Sequence, residues 1–312
     1  MKKVFLSTAF CCVLCFAASA QQKGHTRLAL VAENVISTSQ NEFNPLVTRN
    51  GRTMYFVRAH QGFEGMKIMV SHLTKGQWSE PVPVSFSDAR YNDSDPALSP
   101  DGKTLFFITN RTTDGTTGKK DLDIWYSQLV NGDWGAPVPV TGDKINSKGD
   151  ELGPELRKDG YLYFNSGRKS GIGSSDIYRA RYQNGIAGDL ELAPESVNSS
   201  AFEGDIAFSA NGKYMAWAAW DREGGLGEGD IYLSYRLKDN TWTAPVNLGI
   251  SLNSAAFDFT PHFSTDGRYL YFASFRKEVP GEAAQEVMNG QSNIYRVSMK
   301  DINLLLKKNS IL

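Results

Sequence analysis

Carboxylates recur at one position of this chain, three residues before a proline or the residue that replaces it. The five members of this set are Glu42, Asp93, Glu151, Glu203 and Asp258. Two carboxylates roughly 5–10 Å apart can hydrolyse a glycosidic bond, and a ring of carboxylate oxygens suits calcium. Asp95 and Asp205 add two further acids close by. If the fold gathers these groups, Asp93, Glu151 and Glu203 are the first candidates for catalysis.

Basic and aromatic residues recur near these acids. Arg111, Arg168, Arg222 and Arg276 each follow a run of alternating apolar residues, and Trp220 lies beside Arg222. An acid that repeats beside an arginine commonly forms a structural ion pair. The alternative is a binding surface in which the five acids, the four arginines and Trp220 contact a cation, a polar ligand or a partner. Trp220 would then stack on a sugar ring or on a partner's side chain.

Other chemistries find little support in the sequence. The four histidines (His25, His60, His72 and His262) form no HExxH pattern, and no G-x-S-x-G sequence is present. Two glycine-rich stretches, "GIGSS" (171–175) and "GLGEG" (225–229), superficially resemble phosphate-binding loops, but neither precedes a helix. The sequence therefore predicts no zinc protease, no serine hydrolase and no nucleotide site.

The elements that position the carboxylates belong to an internal repeat. The segment "DPALSPDGKTLFFITNR" (95–111) reads as two strands joined by a tight turn, and four other segments match it. The turn glycines Gly51, Gly102, Gly160, Gly212 and Gly267 are 51, 58, 52 and 55 residues apart. Each hairpin precedes a third strand such as "DIWYSQL" (123–129), and three repeats run on into a fourth, such as "GDWGAPVPV" (132–140). Four short antiparallel strands per repeat predict the blade of a β-propeller.

The repeats predict an all-β fold, a five-bladed β-propeller of four-stranded antiparallel blades. Their approximate bounds are 41–90, 91–148, 149–200, 201–254 and 255–299 within a single domain, 21–312. The fifth repeat lacks an outer strand, whereas "LALVAENVIS" (28–37) resembles the outer strand "LELAPESVNS" (190–199). We therefore expect the N-terminal strand to complete the last blade. The C-terminal "INLLLKKNSIL" (302–312) is predicted as either a docked strand or a free tail.

The first 20 residues, "MKKVFLSTAFCCVLCFAASA", have the layout of a secretory signal peptide. All three cysteines lie inside it, and the large residues before them disfavour lipid anchoring. We expect an exported, disulfide-free protein that is periplasmic or secreted. The formal charge is −1 and the basic residues are scattered, which argues against nucleic acid. No apolar run after residue 20 is long enough for a transmembrane span.

The repeat "SPDGKTLFF" (99–107) with "DIW" (123–125) resembles the WD40-like (PD40) repeat of the TolB-type propellers, which are exported bacterial proteins. This resemblance implies a periplasmic propeller that binds partner proteins. The chain lacks the additional N-terminal domain and the sixth blade of TolB, so the specific partners of TolB do not transfer. We predict a binding or scaffolding module of the Gram-negative cell envelope, which recognises a protein partner through its loop face. Whether the chain is an enzyme is left open, with a non-enzymatic module favoured. The alternative is a carbohydrate-active enzyme (glycoside hydrolase or lyase), or a glycan or calcium binder, that uses the channel carboxylates. No cofactor other than calcium is expected.

Overall fold

The computed structural model describes residues 27–142, 144–193, 197–277 and 291–308, and it forms a five-bladed β-propeller. Strand β1 (Leu28–Leu30) comes first in the chain and belongs to the last blade. Blade 1 consists of β2 (Asn41–Val47), β3 (Thr53–Ala59), β4 (Lys67–Thr74), β5 (Gln77–Trp78) and β6 (Val82–Pro83). Blade 2 consists of β7 (Asp93–Leu98), β8 (Thr104–Thr109), β9 (Asp123–Val130), β10 (Asp133–Trp134) and β11 (Val138–Pro139).

The remaining blades follow in chain order. Blade 3 consists of β12 (Glu151–Leu156), β13 (Tyr161–Ser166), β14 (Asp176–Gln183) and β15 (Ile186–Leu192). Blade 4 consists of β16 (Phe202–Phe208), β17 (Tyr214–Trp220), β18 (Asp230–Tyr235) and β19 (Val246–Asn247). Blade 5 consists of β20 (Asp258–Phe263), β21 (Tyr269–Ser274) and β22 (Asn293–Ser298), and β1 completes it.

The closure of the ring confirms the prediction from the sequence. Strand β1 pairs antiparallel with β22, with Leu28 opposite Val297, so the two ends of the described chain share one sheet. The paired segment is shorter than the predicted one. After Leu30 the chain turns back, and the Ser37 hydroxyl donates to the Ile294 carbonyl. This pairing removes the open strand edge that blade 5 would otherwise present.

The C-terminal segment corrects the expectation of a docked strand or a free tail, because residues Met299–Lys308 form the helix α1. Met299, Ile302, Leu305 and Leu306 recur on one face of this helix and are buried. Met299, Ile302 and Leu306 join the hydrophobic cluster between blades 4 and 5. The helix therefore packs on the propeller by its apolar face. No helix among the described residues has the length and apolar character needed to cross a membrane.

The second strand of each blade is buried on both faces, which explains its continuous apolar run. In blade 2, Leu105 and Phe107 pack toward Phe43 of blade 1. Phe106 and Ile108 pack toward Phe164 of blade 3. Successive side chains of a strand point to opposite faces, so "LFFI" contacts both neighbouring blades.

The two faces of the ring also follow from strand direction. The loop face holds the connections between second and third strands, and the turn face holds the tight turn of each inner hairpin.

Candidate functional site

The five repeated carboxylates open the inner strands of the five blades, as the repeat predicts. Each is at most 1 % exposed, and each accepts a hydrogen bond from an arginine at or just after the end of the second strand of its own blade. We call this arrangement the ion-pair ring. Its pairs are Glu42–Arg58 (2.9 Å), Asp93–Arg111, Glu151–Arg168 (2.8 Å), Glu203–Arg222 (3.1 Å) and Asp258–Arg276 (2.5 Å). Arg58 was missed by the sequence analysis, although "YFVR" (55–58) ends a second strand in the same way.

The arginines of the ring also fix the chain segment that enters each blade. In every blade the guanidinium donates to a backbone carbonyl of that segment: Val35, Phe86, Ile145, Val197 and Leu252. No side chain of the five is more than 15 % exposed. The structure therefore directs the predicted binding arginines (Arg111, Arg168, Arg222 and Arg276) and the catalytic candidates (Asp93, Glu151 and Glu203) toward the protein interior.

Burial and pairing have opposite effects on the pKa values of the ring carboxylates. Burial raises the pKa of Glu42, while hydrogen bonds from Thr38 and the charge of Arg58 act in the other direction. Burial likewise raises the pKa of Asp93 against the charge of Arg111. A buried carboxylate that meets a guanidinium and further donors has its charge compensated. These contacts join the inner strand, the second strand and the entering segment of each blade.

Further carboxylates begin the third strands and organise the loop face. Asp176 accepts hydrogen bonds from the amides of Ile172 (2.8 Å) and Gly173 (3.0 Å). Asp230 accepts from the amide of Leu226 in the same way (2.5 Å). The glycine-rich loops "GIGSS" and "GLGEG" therefore wrap around carboxylates of their own chain. Their tips, Ile172 and Leu226, are 62 % and 47 % exposed.

Two residues after its ring carboxylate, every inner strand has an irregularity at which a residue faces the central channel. The residues at this point have φ between 48° and 58° and lie at irregularities in the strand register: Asn44, Asp95, Gly153, Asp205 and Thr260. They line a cavity of about 40 Å³ together with Glu155 and His262. A left-handed residue within a bulge redirects its side chain. The bulges thus place two aspartates inside the channel.

Hydrogen bonds link these positions from blade to blade. The Asp95 carboxylate accepts from the Gly153 amide (2.8 Å), and Asp205 accepts from the Thr260 amide. The Thr260 hydroxyl accepts from the Asn44 amide (3.1 Å). A side chain of one blade thereby satisfies the backbone of the next. The described residues contain no cluster of three or more histidine, cysteine or acidic side chains placed to hold a metal.

The channel acids differ from the ring because no salt bridge to Asp95 or Asp205 occurs among the described residues. Burial, with the charge of Asp95, raises the pKa of Asp205 to about 8. Burial also raises the pKa of Glu155 to about 8, and it lowers the pKa of His262 to about 4. At neutral pH Asp205 and Glu155 are therefore largely protonated, and His262 is neutral. The sequence analysis missed Glu155, whose signal is a charged residue where the other blades have Leu46, Ala97, Ala207 and His262.

A connected set of aromatic rings lies near the loop-face ends of the strands of blades 4, 5 and 1. The ring centroids of Phe202 and Trp220 are 4.0 Å apart, and those of Trp220 and Phe257 are 4.7 Å apart. The ring contacts continue through Phe259 toward blade 1. We call this set the aromatic platform: Phe43, Phe63, Phe202, Trp220, Phe257, Phe259 and Phe275. Phe43 and Phe259 are buried, and the other five rings are half-buried. Only Trp220 of this set was a candidate from the sequence.

No protein-family model matches the chain, and no curated protein sequence matches it. Solved structures do match. A glycoside hydrolase has a TM-score of 0.57 at 14 % identity, over 88 % of this chain and 91 % of that one. The α-L-arabinofuranosidase from Lactobacillus brevis has a TM-score of 0.55 at 12 % identity, over 85 % and 92 %. TolB from Acinetobacter baumannii has a TM-score of 0.49 at 16 % identity over 84 % of this chain, which spans 55 % of TolB. At these identities the glycoside hydrolase and the arabinofuranosidase show a likeness of fold alone.

Proposed function

We propose that this chain is a glycan-binding β-propeller and that its ligand stacks on the aromatic platform at the loop-side mouth of the channel. The observation that carries the proposal is the continuous contact of seven rings across blades 4, 5 and 1, five of them half-buried. Binding sites for small ligands are largely apolar and aromatic. The C–H face of a sugar ring offers an apolar surface that matches an aromatic face.

The platform is confined to one side of the mouth. The inner strands of blades 1 and 5 place Phe43 and Phe259 directly after the ring carboxylate. Blades 2 and 3 have Ser94 and Leu152 at that position. A feature needed to build every blade would repeat in every blade, as the ion-pair ring does. The asymmetry of the aromatic platform supports a role in binding.

Binding is favoured over hydrolysis by the placement of the carboxylates. The ring acids are enclosed by their arginines. Asp95, Glu155 and Asp205 line the central channel beyond the ring. Asp95 and Asp205 accept hydrogen bonds from the amides of Gly153 and Thr260 in the next blade, and these bonds favour a structural role for the channel acids. The glycoside hydrolase and the arabinofuranosidase that share this fold offer a precedent for sugar ligands on such a propeller.

Affinity electrophoresis in gels that contain soluble polysaccharides, followed by calorimetry with any hit, tests this proposal. Trp220→Ala should weaken binding on the order of tenfold, because an aromatic contact is worth about 0.5–1.5 kcal/mol beyond the area that it buries. The matched control is Trp242→Ala, which removes a half-buried indole from the outer part of the same blade. Equal losses in the two variants, or no retardation by neutral and acidic polysaccharides, would contradict the proposal.

A second candidate is the recognition of an envelope protein through the loop face. Ile172 and Leu226 favour it, because they stand exposed at the tips of two loops that hydrogen bonds to Asp176 and Asp230 hold in place. Crosslinked pull-down from an envelope fraction, with Ile172→Asn and Leu226→Asn combined, tests it. A partner should be lost from this variant and retained by Ile250→Asn, which alters another exposed apolar residue. Retention of the partner by both variants would remove this candidate.

A further inference from the structure

The basic side chains that are scattered along the sequence gather on the turn face. This face comprises the turns of the inner hairpins (48–52, 99–103, 157–160, 209–213 and 264–268), the turns after the third strands (75–76, 131–132, 184–185 and 236–241) and the helix α1. These segments hold thirteen basic residues: Arg49, Arg52, Lys75, Lys103, Arg157, Lys158, Lys213, Arg236, Lys238, Arg268, Lys300, Lys307 and Lys308. They hold five acidic residues: Asp101, Asp159, Asp239, Asp266 and Asp301. The face has a large positive excess, although the whole chain has a formal charge of −1.

The loop face has no such excess. Apart from the arginines of the ion-pair ring, its described connections between second and third strands hold four basic residues: Lys119, Lys120, Lys169 and Lys277. They hold six acidic residues: Glu64, Asp114, Asp121, Asp221, Glu223 and Glu228. The propeller is therefore electrically polar along its axis, with the positive end at the turns.

Cations ring the channel at the positive end. Arg52, Lys103, Lys213 and Arg268 each follow the turn glycine of a hairpin, and all four are exposed. The turn itself requires the glycine and the Asp or Asn before it. It does not require a basic residue next, since blade 3 has Tyr161 at this position. The repeated positive charge thus goes beyond what the hairpin needs.

Exposed apolar side chains occupy the outer part of the same face. Val130 of blade 2 is 55 % exposed, Ile186 of blade 3 is 60 % exposed and Leu237 of blade 4 is 41 % exposed. Each lies at the turn between a third strand and the segment that follows it. Leu304 of α1 is 56 % exposed and belongs to the same surface.

The position of α1 follows from two contacts at the turn face. The Met299 amide donates to the Arg268 carbonyl (2.8 Å), and the Tyr214 hydroxyl donates to Asn303 (2.5 Å). With its apolar stripe packed on blades 4 and 5, the helix presents Leu304 and its lysines to solvent. Cations that accompany exposed apolar residues are typical of surfaces that bind at a membrane interface.

We infer that the turn face docks on an anionic phospholipid bilayer. The ring of cations and the lysines of α1 would face the lipid phosphates, while Val130, Ile186, Leu237 and Leu304 would enter the headgroup boundary. A soluble polyanion would use the same charges but would leave the four apolar side chains without a role. The surface is opposite the aromatic platform, so this inference is independent of the proposed function.

Co-sedimentation of the full chain with vesicles tests the inference. Vesicles of phosphatidylcholine mixed with phosphatidylglycerol should bind the protein, and vesicles of phosphatidylcholine alone should not. Each cation near an anionic surface strengthens binding on the order of fivefold. The triple variant Arg52→Gln, Lys213→Gln and Lys307→Gln should therefore weaken binding on the order of a hundredfold. Leu304→Gln should weaken vesicle binding by a smaller factor, and added salt should change that factor little.

The matched control removes three exposed lysines of the loop face, with Lys120→Gln, Lys169→Gln and Lys277→Gln. It should bind like the wild type, and both triple variants should keep the thermal melting temperature of the wild type. Three outcomes would overturn the inference: no binding to either vesicle, equal losses in the two triple variants, or binding to a soluble acidic polysaccharide with no binding to vesicles.

Discussion

The ion-pair ring and the channel acids lie two residues apart on the same inner strands, yet they bury carboxylates in opposite ways. Asp93 meets the guanidinium of Arg111, which also fixes the entering segment of the blade. Asp95 faces the channel and accepts hydrogen bonds from the Ser94 hydroxyl and the Gly153 amide, and no salt bridge to it occurs within the described part of the chain. In the ring, a guanidinium compensates the buried charge, whereas burial raises the pKa of Asp95 against hydrogen bonds alone. Two acids close together in sequence therefore have different compensating partners.

The loop carboxylates show a third arrangement, intermediate between these two. Asp176 is fully buried and lies against the amides of its own loop. Backbone amides carry partial charge, so they compensate a carboxylate less than a guanidinium does and more than an apolar wall does. The three arrangements predict three different responses to mutation.

The largest effect is expected where a fixed partner of the ring is removed. Arg276→Met leaves Asp258 buried without its cation, and both side chains are at most 2 % exposed. Loss of one member of a buried pair costs about 3–5 kcal/mol, so the free energy of unfolding in urea should fall by that amount. Arg268→Met, at an exposed pair with Asp266, should leave stability essentially unchanged. Similar losses in the two variants would show that the ring pairs are not specially stabilising.

A smaller, pH-dependent effect is expected in the channel. The folded-state pKa of Asp205 is raised from 3.8 to about 8. Its contribution to stability is therefore fully present below pH 3.8 and is lost as pH rises through about 8. Asp205→Asn should remove this loss while keeping the bond to the Thr260 amide, because an amide oxygen also accepts. Asparagine also tolerates the left-handed backbone at this position.

Between pH 6.5 and 8 the wild type should lose about 1–2 kcal/mol more than Asp205→Asn in urea denaturation. This window avoids His262, whose contribution is lost as pH falls from 6.5 toward 4. Glu155 has the same sign as Asp205, so a residual slope should persist in the variant. An unchanged slope in Asp205→Asn would mean that Asp205 is already ionised at pH 6.5.

The smallest effect is expected at the loop carboxylates. Asp176→Asn keeps an acceptor for the amides of Ile172 and Gly173 but removes the charge-assisted part of these bonds. The expected loss is about 1 kcal/mol in the free energy of unfolding. Asp189→Asn, at an exposed position of the same blade, is the control and should not change stability. A loss as large as that of Arg276→Met would contradict this prediction, because the loop carboxylates would then contribute as much to the free energy of unfolding as the ion-pair ring.

The sequence predicted the blades because the turn glycines and the alternating strands recur at a nearly constant interval. It also predicted that the five acids occupy equivalent positions. It offered structural acid–arginine ion pairs and a binding surface as alternatives, and the structure shows the ion pairs, each formed across about 17 residues of one blade. The left-handed residues of the channel carry no common side chain, so the sequence did not predict that Asp95 and Asp205 would lie in bulges that face the channel. The positive charge of the turn face was not predicted for a related reason. One basic residue per repeat looks scattered in the sequence, and only the closed ring places these residues on one face.

The closure by β1 has a consequence for the connectivity of the molecule. Ser37 and Ile294 are 257 residues apart in the chain and are joined by a hydrogen bond. The fold is thus circular in space although the polypeptide is linear, and the break in the polypeptide lies inside blade 5. A single proteolytic cut between two blades should therefore leave one particle held by its remaining sheets. The same geometry implies that the chain would accept new ends between any two blades once its present ends were linked.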